Sequence, residues 1–222
     1  MERKIISTED GSHTIAVPQL RAMYHSVHGA IQESKHVFID AGLNFIRNNS
    51  CPQGLKIFEM GLGTGLNAFL TAIEAAKHKT TIQYTSIEPF PLSVEEVSLP
   101  NYPQYLQNQE LFLKIHEVDS SEEIMISQFF SLRKENEDFV NYEPLEKVHL
   151  IYYDAFAPNS QPELWTNEIF EKLFNMLHPN GTLVTYCSKG AVRRAMAAAG
   201  FSVQKLQAPP GKREILRAIK SG

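Results

Sequence analysis

Residues 55–66 read Leu55-Lys56-Ile57-Phe58-Glu59-Met60-Gly61-Leu62-Gly63-Thr64-Gly65-Leu66. The apolar run Leu55–Met60 is short enough for a buried strand, and a helical pattern starts at Leu66. Between them lie glycines at alternate positions, Gly61, Gly63 and Gly65. Glycine adopts positive φ without strain and has no Cβ to keep a ligand away from the backbone. The start of the following helix adds free N–H groups and a partial positive charge. Strand, glycine turn and helix in this order form a cradle for a nucleotide-like ligand; the alternative is a tight turn that binds nothing.

The spacing separates two ligand classes. A dinucleotide fingerprint, G-x-G-x-x-G, needs a glycine where this chain has Leu66. The pattern is instead E-x-G-x-G-x-G, with Glu59 at the strand end. A carboxylate there repels a diphosphate but not a cationic ligand without phosphate. S-adenosylmethionine (SAM), with its sulfonium, ammonium and ribose hydroxyls, is such a ligand. The pattern resembles motif I of the class I SAM-dependent methyltransferases, which places Glu59, Gly61, Gly63 and Gly65 around the cofactor.

The chain has 222 residues, enough for one large domain, or a domain with a small appendage, around a sizeable core. Cys51 and Cys187 form no C-x-x-C pair, which points away from a disulfide framework and towards a reducing compartment. Met1–Asp10 is polar, and no apolar run approaches a membrane span, so a cytoplasmic protein without membrane contact is expected. The eight histidines show no ligand spacing, and no metal is expected. A monomer is favoured. The net charge of −4 is unevenly spread: residues 189–222 hold eight basic residues and one acid, so that stretch is +7 and residues 1–188 are −11. Lys189, Arg193, Arg194, Lys205, Lys212, Arg213, Arg217 and Lys220 can present a basic face to phosphate. Chance clustering on a solvated surface is the alternative.

Alternation on either side of Asp10-Gly11 predicts a hairpin of Lys4–Ser7 and His13–Val17. A helical stretch over Ala30–Arg47 follows, weakened by Gly42. Residues 1–50 are expected to be an appendage over the cofactor site, and 51–222 the main domain. In the latter, strands are expected at Leu55–Met60, Thr81–Glu88, Ile126–Lys134, Val148–Tyr153 and Thr182–Cys187. Helices are expected at Leu66–Lys77, Gln104–His116, Glu163–Leu177 and Ala191–Ala199, with a stop at His178-Pro179-Asn180-Gly181. Strands Phe201–Ala208 and Glu214–Ile219 close the chain across Pro209-Pro210-Gly211. Such alternation predicts an α/β doubly wound, Rossmann-like sheet, mostly parallel with an antiparallel last strand.

Ligands of open α/β sheets sit beyond the carboxyl ends of the strands. Glu59, Glu88 and Asp154 each end a predicted strand, and Asp138 follows another. Glu88 has the spacing of an acid that binds ribose hydroxyls. Asp138 is placed near an adenine amine, with Asp119 as its rival if the third strand is Leu111–Val118. Asp154 opens Asp154-Ala155-Phe156-Ala157-Pro158, in the place of the D-P-P-Y type motif of amino-methyltransferases. Its carboxylate can accept an N–H of an amine and aim the lone pair, while Phe156 and Pro158 wall a flat base. The alternative makes Asp154 a cap for the helix near Pro162.

Taken in order, the motifs resemble one family, the bacterial tRNA (5-methylaminomethyl-2-thiouridine)-forming methyltransferases of MnmC/MnmD type. The carriers begin with Tyr24-x-Ser26, Glu33-Ser34-x-x-Val37-Phe38 and Gly61-x-Gly63-Thr64-Gly65-Leu66-Asn67. Asp154-x-Phe156-Ala157-Pro158 and Pro162-Glu163-x-Trp165 follow. Pro179-x-Gly181-Thr182-Leu183, Val192-Arg193-Arg194, Ala199-Gly200-Phe201 and Gly211-Lys212-Arg213-Glu214 close the series. The resemblance implies SAM-dependent methylation of the 5-aminomethyl group of a tRNA wobble uridine. It implies cofactor contacts at Gly61, Gly63, Gly65, Asn67, Glu88 and Asp138, and Asp154 near the amine. Substrate contacts are expected at Tyr24, Ser26, Phe156, Pro158, Arg193, Arg194, Lys212 and Arg213. Two-domain members also carry a FAD-dependent oxidase domain, and this chain is expected to be the methyltransferase part alone.

Overall fold

The computed structural model describes residues 2–50, 54–119, 121–208 and 214–222. The predicted hairpin forms as β1 (Lys4–Ser7) and β2 (His13–Val17), and β3 (Ala22–Met23) adds a third antiparallel strand. A helix, α1, follows in three parts: Ala30–Ser34, a π-helical Lys35–Asn44, and Phe45–Ser50. Gly42 sits inside it as a packing residue rather than a break. A Cβ there would lie 3.0 Å from Val184 and 3.2 Å from Tyr152. Glycine costs a helix backbone entropy, but here its bareness lets α1 lie against the main sheet. Val37, Phe38, Leu43 and Ile46 of α1 are buried in one core with Leu55, Ile57, Leu66 and Phe69, each side chain contributing about 1.5–3 kcal/mol on burial.

The second sheet has eight strands. They are β4 (Leu55–Met60), β5 (Ile82–Ile87), β6 (Ile124–Ser127), β7 (Phe130–Glu135), β8 (Val148–Tyr153), β9 (Leu177–Thr185), β10 (Ser202–Gln207) and β11 (Glu214–Ile219), in the order β10-β11-β9-β8-β4-β5-β7-β6. β7, β5, β4, β8 and β9 run parallel. β11 pairs antiparallel with β9 and β10, as expected of the last strand. Helices α2 (Leu66–His78), α3 (Val94–Val97), α4 (Tyr102–Leu106), α5 (Gln109–Glu117), α6 (Asn167–Met176) and α7 (Gly190–Ala198) fill the connections. Side chains alternate along each strand. Ile57, Tyr84, Leu132 and Tyr152 therefore pack under α1, α2 and α5, while Phe58, Ile151 and Leu183 pack under α6 and α7.

Several expectations need correction. The helix expected over Gln104–His116 is two helices, α4 and α5, parted where Gln107 takes φ 54°, and the strand expected over Thr182–Cys187 runs from Leu177 to Thr185. The strand expected over 126–134 is two antiparallel strands, β6 and β7, with a turn at Gln128 and Phe129; that turn holds no glycine or proline to announce it. Leu111–Val118, the rival third strand, is largely α5, capped by the Asn108 side chain. The segment His178–Gly181 is not a free turn. It is a bulge inside β9, where Val148 pairs with Leu177 but Leu150 pairs with Thr182. Asn180 takes φ 63° there. Backbone bonds to Lys220 hold it, Asn180 N–H to Lys220 O at 2.8 Å and Lys220 N–H to Gly181 O at 2.9 Å. The expected turn Pro209-Pro210-Gly211 lies outside the described residues, as do Cys51, Lys212 and Arg213.

Candidate active site

The strand order reverses at β4, with β5 and β7 on one side and β8 and β9 on the other. At such a switch point the loops leaving two neighbouring strands part, and a crevice opens beyond their carboxyl ends. Here a cavity of about 370 Å³ lies there, within the range of small-molecule sites, roughly 300–1,000 Å³. The loops after β4, β5, β7 and β8 wall it, and the segment around β3 covers it.

Gly61, Gly63 and Gly65 all take positive φ, 85°, 50° and 71°. A Cβ on Gly61 would meet the Asp154 carbonyl oxygen at 3.3 Å, so this glycine seats the β4 loop against the β8 loop. At Gly63 a Cβ would meet the Tyr24 ring at 2.6 Å, and at Gly65 the His116 ring at 2.7 Å. The room made by the last two glycines is therefore filled by protein side chains. Gly61 and Gly63 still present backbone to the cavity, whereas Gly65 lies outside its wall.

Glu88 stands in the wall as expected. Its carboxylate accepts Gly63 N–H and Phe90 N–H, each at 3.0 Å, so it ties the β4 and β5 loops together and retains further acceptor capacity. Burial raises its pKa, against those two bonds and the Arg3 charge. Asp138 also reaches the wall, and Asp119 does not; Asp119 accepts from Asn136 at 3.2 Å on the exposed surface. Asp154 lines the cavity and accepts Asn67 Nδ2–H at 2.8 Å. It caps no helix: the turn Pro162–Trp165 has no side-chain cap, and Thr166 caps α6. Phe156 meets Tyr24 edge to face, with ring centroids 5.1 Å apart. Trp165 braces this loop from behind, donating to Phe156 O at 2.8 Å.

Other expected site residues sit elsewhere. Glu59 is fully buried under the first turn of α2, and Asn67 lies beside it, so neither is in the wall. Ser26 is absent from the wall; its N–H donates to Glu33 at 2.8 Å ahead of α1. Pro158 is absent from the wall too. Arg193 and Arg194 are exposed in the first half of α7. The rest of the basic stretch is partly spent inside the fold. Lys205 pairs with Glu214 at 2.9 Å, and Arg217 lies 3.6 Å over the Phe45 ring. Lys220 Nζ donates to the last carbonyls of the α6 region, Phe174 O at 2.8 Å and Leu177 O at 3.0 Å.

Several wall residues escaped the sequence. Arg3 spans from the first strand to the β5 loop, bonding Glu96 at 2.5 Å and Phe90 O at 3.1 Å. His25 is buried and bonds Thr64 of the glycine loop at 2.7 Å. Gln161 accepts Phe156 N–H at 3.0 Å. Tyr24, pushed up to about 12 by burial and then by Glu88, stays a neutral phenol. Unlike Arg3, His25 and Gln161, Tyr24 was expected at the site, on the family motif rather than on spacing or composition.

The donor set suits SAM. Glu88, Asp138 and Asp154 surround the cavity with carboxylates, Arg3 is the one cation among its described wall residues, and the apolar lining includes Leu20, Phe90 and Phe139. A cationic ligand with hydroxyls and a flat ring matches those walls better than a phosphate does. Among the described residues no group of three His, Cys, Asp or Glu gathers as a metal site. No helix among them is long and apolar enough to cross a membrane.

Fold and cavity together define an α/β protein that takes a small cofactor at a glycine loop. Comparison with known proteins names the group. The family described as S-adenosyl-L-methionine-dependent methyltransferase matches residues 94–221, and the chain belongs to it. The chain is similar to a Leptospira interrogans protein named tRNA 5-methylaminomethyl-2-thiouridine biosynthesis bifunctional protein MnmC. Identity is 31% over 210 residues, covering 89% of this chain and 32% of that one. A protein of the same name from Ectopseudomonas mendocina is 31% identical over 215 residues, covering 87% and 31%. The chain thus spans about a third of the length of these relatives. Among solved structures, MnmC2 from Aquifex aeolicus matches with a TM-score of 0.78 at 23% identity, over 98% of this chain and 70% of that one. Spermidine synthase from Thermotoga maritima matches with 0.59 at 13% identity, over 99% and 69%. At those identities the two structures bear on the fold, which is that of the class I methyltransferases.

Proposed function

We propose that this chain methylates the 5-aminomethyl nitrogen of a wobble 2-thiouridine in tRNA, giving 5-methylaminomethyl-2-thiouridine. The observation that carries the proposal is Asp154, which stands in the cavity wall, tethered by Asn67 at 2.8 Å, with Phe156 and Tyr24 beside it as an aromatic wall. The names of the relatives supply the substrate class.

Glu88 is assigned to the ribose hydroxyls, Asp138 to the adenine edge, and the Gly61 and Gly63 backbone to the rest of the cofactor. Bound SAM supplies an electrophilic methyl on its sulfonium. Asp154 accepts an N–H of the incoming amine and points its lone pair into the cavity, an effect of placement. Phe156 and Tyr24 hold the base, splayed from its loop as single-stranded bases are when read. Residues 2–50 serve as a cover, since Arg3, Leu20, Tyr24 and His25 close one side of the cavity. Lys189, the N-cap of α7, follows the carboxyl end of β9, and Arg193 and Arg194 are exposed in the first half of α7; all three are assigned to tRNA phosphates. Cations at a helix N-terminus oppose its dipole, a cost that phosphate contact offsets. Lys212 and Arg213 extend this assignment from sequence alone.

The test is nucleoside mass spectrometry of tRNA from cells lacking the chain. The 5-aminomethyl nucleoside should accumulate, and purified chain with SAM should convert it by one methyl. An unchanged nucleoside profile, or no conversion, refutes the proposal.

A further inference from the structure

A buried polar layer lies between β4, β5 and the first turn of α2, behind the cavity wall. Glu59 is 0% exposed there. Its Oε2 accepts from Ser86 Oγ at 3.2 Å. Asn67 donates through Nδ2 to Asp154 and lies against the Glu59 carboxyl, as does the Tyr84 hydroxyl. Glu59 Oε1, Asn67 Oδ1 and the Tyr84 hydroxyl are all buried and have no hydrogen-bond partner. The first two are acceptors when Glu59 is ionised, so they cannot satisfy one another. A single proton on Oε1 changes that.

We infer that Glu59 is held as the neutral acid and acts as a positioning residue, donating from Oε1 to Asn67 Oδ1 and thereby committing the Asn67 amide to Asp154. Both orphaned oxygens then gain a partner, and the Tyr84 hydroxyl has a carboxyl oxygen as acceptor. The surroundings agree. Facing this layer are Tyr84 of β5, Glu88 at its end, and Tyr152 and Asp154 of β8, and the charge that weighs most on Glu59 is the Glu88 carboxylate. Burial pushes the Glu59 carboxyl up to about 8. The last link, from a fixed Asp154 to methyl transfer, rests on the proposed function; the protonation of Glu59 does not.

Two readouts test it. The first needs no cofactor: thermal unfolding of the whole chain from pH 5 to 9, for wild type and Glu59→Gln. The amide mimics the neutral acid, with its NH2 towards Asn67 and its oxygen towards Ser86. The unfolded chain releases the Glu59 proton near 4.5 and the folded chain only near 8, so the stabilisation is complete below the lower value and lost as pH rises through the higher one. The advantage of Glu59→Gln over wild type should widen up to about pH 8 and then level. Curves that stay parallel overturn the inference. The second readout is kcat at neutral pH. Glu59→Leu should lower it on the order of 10- to 100-fold with KM for SAM little changed, and Glu59→Gln should recover most of that loss. If Glu59→Leu does not fold, Asn67→Ala takes its place. A Glu59→Gln variant as slow as Glu59→Leu overturns the positioning role. Should Asp154→Ala keep the wild-type rate, the proposed function falls, and the unfolding curves still decide the state of Glu59.

Discussion

Replacing Asp154 by asparagine removes a charge and exchanges one oxygen for an NH2 group, and the structure dictates which way that group must turn. Asn67 Nδ2 donates to Asp154 Oδ2 at 2.8 Å. The new amide keeps this bond only by turning its oxygen to Asn67, which aims its NH2 into the cavity. An incoming amine N–H then meets a donor. The opposite rotamer sets two NH2 groups face to face and leaves buried donors unpaired, a cost of about 1–3 kcal/mol. Losing a hydrogen bond to a charged acceptor costs a similar amount, about 1.5–3 kcal/mol. At about 1.4 kcal/mol per factor of ten, Asp154→Asn should slow methyl transfer by on the order of 10²-fold, close to Asp154→Ala. Combining Asn67→Asp with Asp154→Asn restores the pairing in reverse. The amide introduced on β8's end then donates to the carboxylate introduced on α2, and the amide oxygen faces the cavity again. That double variant should be about tenfold faster than Asp154→Asn alone, a gain of about 1.4 kcal/mol. Single-turnover transfer from labelled SAM to tRNA bearing the 5-aminomethyl group measures wild type and all three variants. An Asp154→Asn rate within about threefold of wild type, or a double variant slower than the single, would refute the orientation account.

Gly63→Ala should weaken SAM binding by about tenfold or more in calorimetry, because a side chain at φ 50° is strained and displaces the Tyr24 ring. The loss should shrink in a Tyr24→Ala background, and an equal loss in both would mean the ring is not the obstacle. Arg193→Glu with Arg194→Glu should weaken tRNA binding and lower the salt slope by about 1–2. Both side chains are exposed, so unfolding temperature and SAM affinity should hold; a large drop in either assigns the arginines to the fold. His116, driven down to about 4 by burial and by Lys134, is neutral and donates from Nε2 to Thr64 O at 3.2 Å. A lowered folded pKa means stability is full above the unfolded value of 6.5 and is lost as pH falls towards 4. Relative to His116→Gln, the wild type should lose on the order of 2 kcal/mol between pH 7 and 4, read from urea unfolding, and identical pH profiles would contradict this.

Much of the frame was legible in residue order. Leu55–Met60 and Val148–Tyr153 are strands with those bounds, because short, mostly apolar runs bounded by glycine or an acid favour a buried strand over a helix of that length. The three glycines take positive φ, and Glu88 and Asp138 reach the cavity from the strand ends that the alternation of strands and helices predicts. Such features are local or follow from topology, and a periodic pattern encodes both. What lay beyond it depends on which distant residues share a space. Gly42 reads as a weak point in a helix until Val184 and Tyr152 are placed against it. Gly63 and Gly65 read as room for a ligand until Tyr24 and His116 fill that room from 39 and 51 residues away in the chain. Glu59 reads as a strand-end acid facing solvent or cofactor, yet the first turn of α2 closes over it. The difference is physical. A strand or a turn is decided by a residue and its near neighbours, whereas burial, protonation and the partner of a carboxylate are decided by whatever the packed chain brings within hydrogen-bonding reach, and only the tertiary structure holds that information.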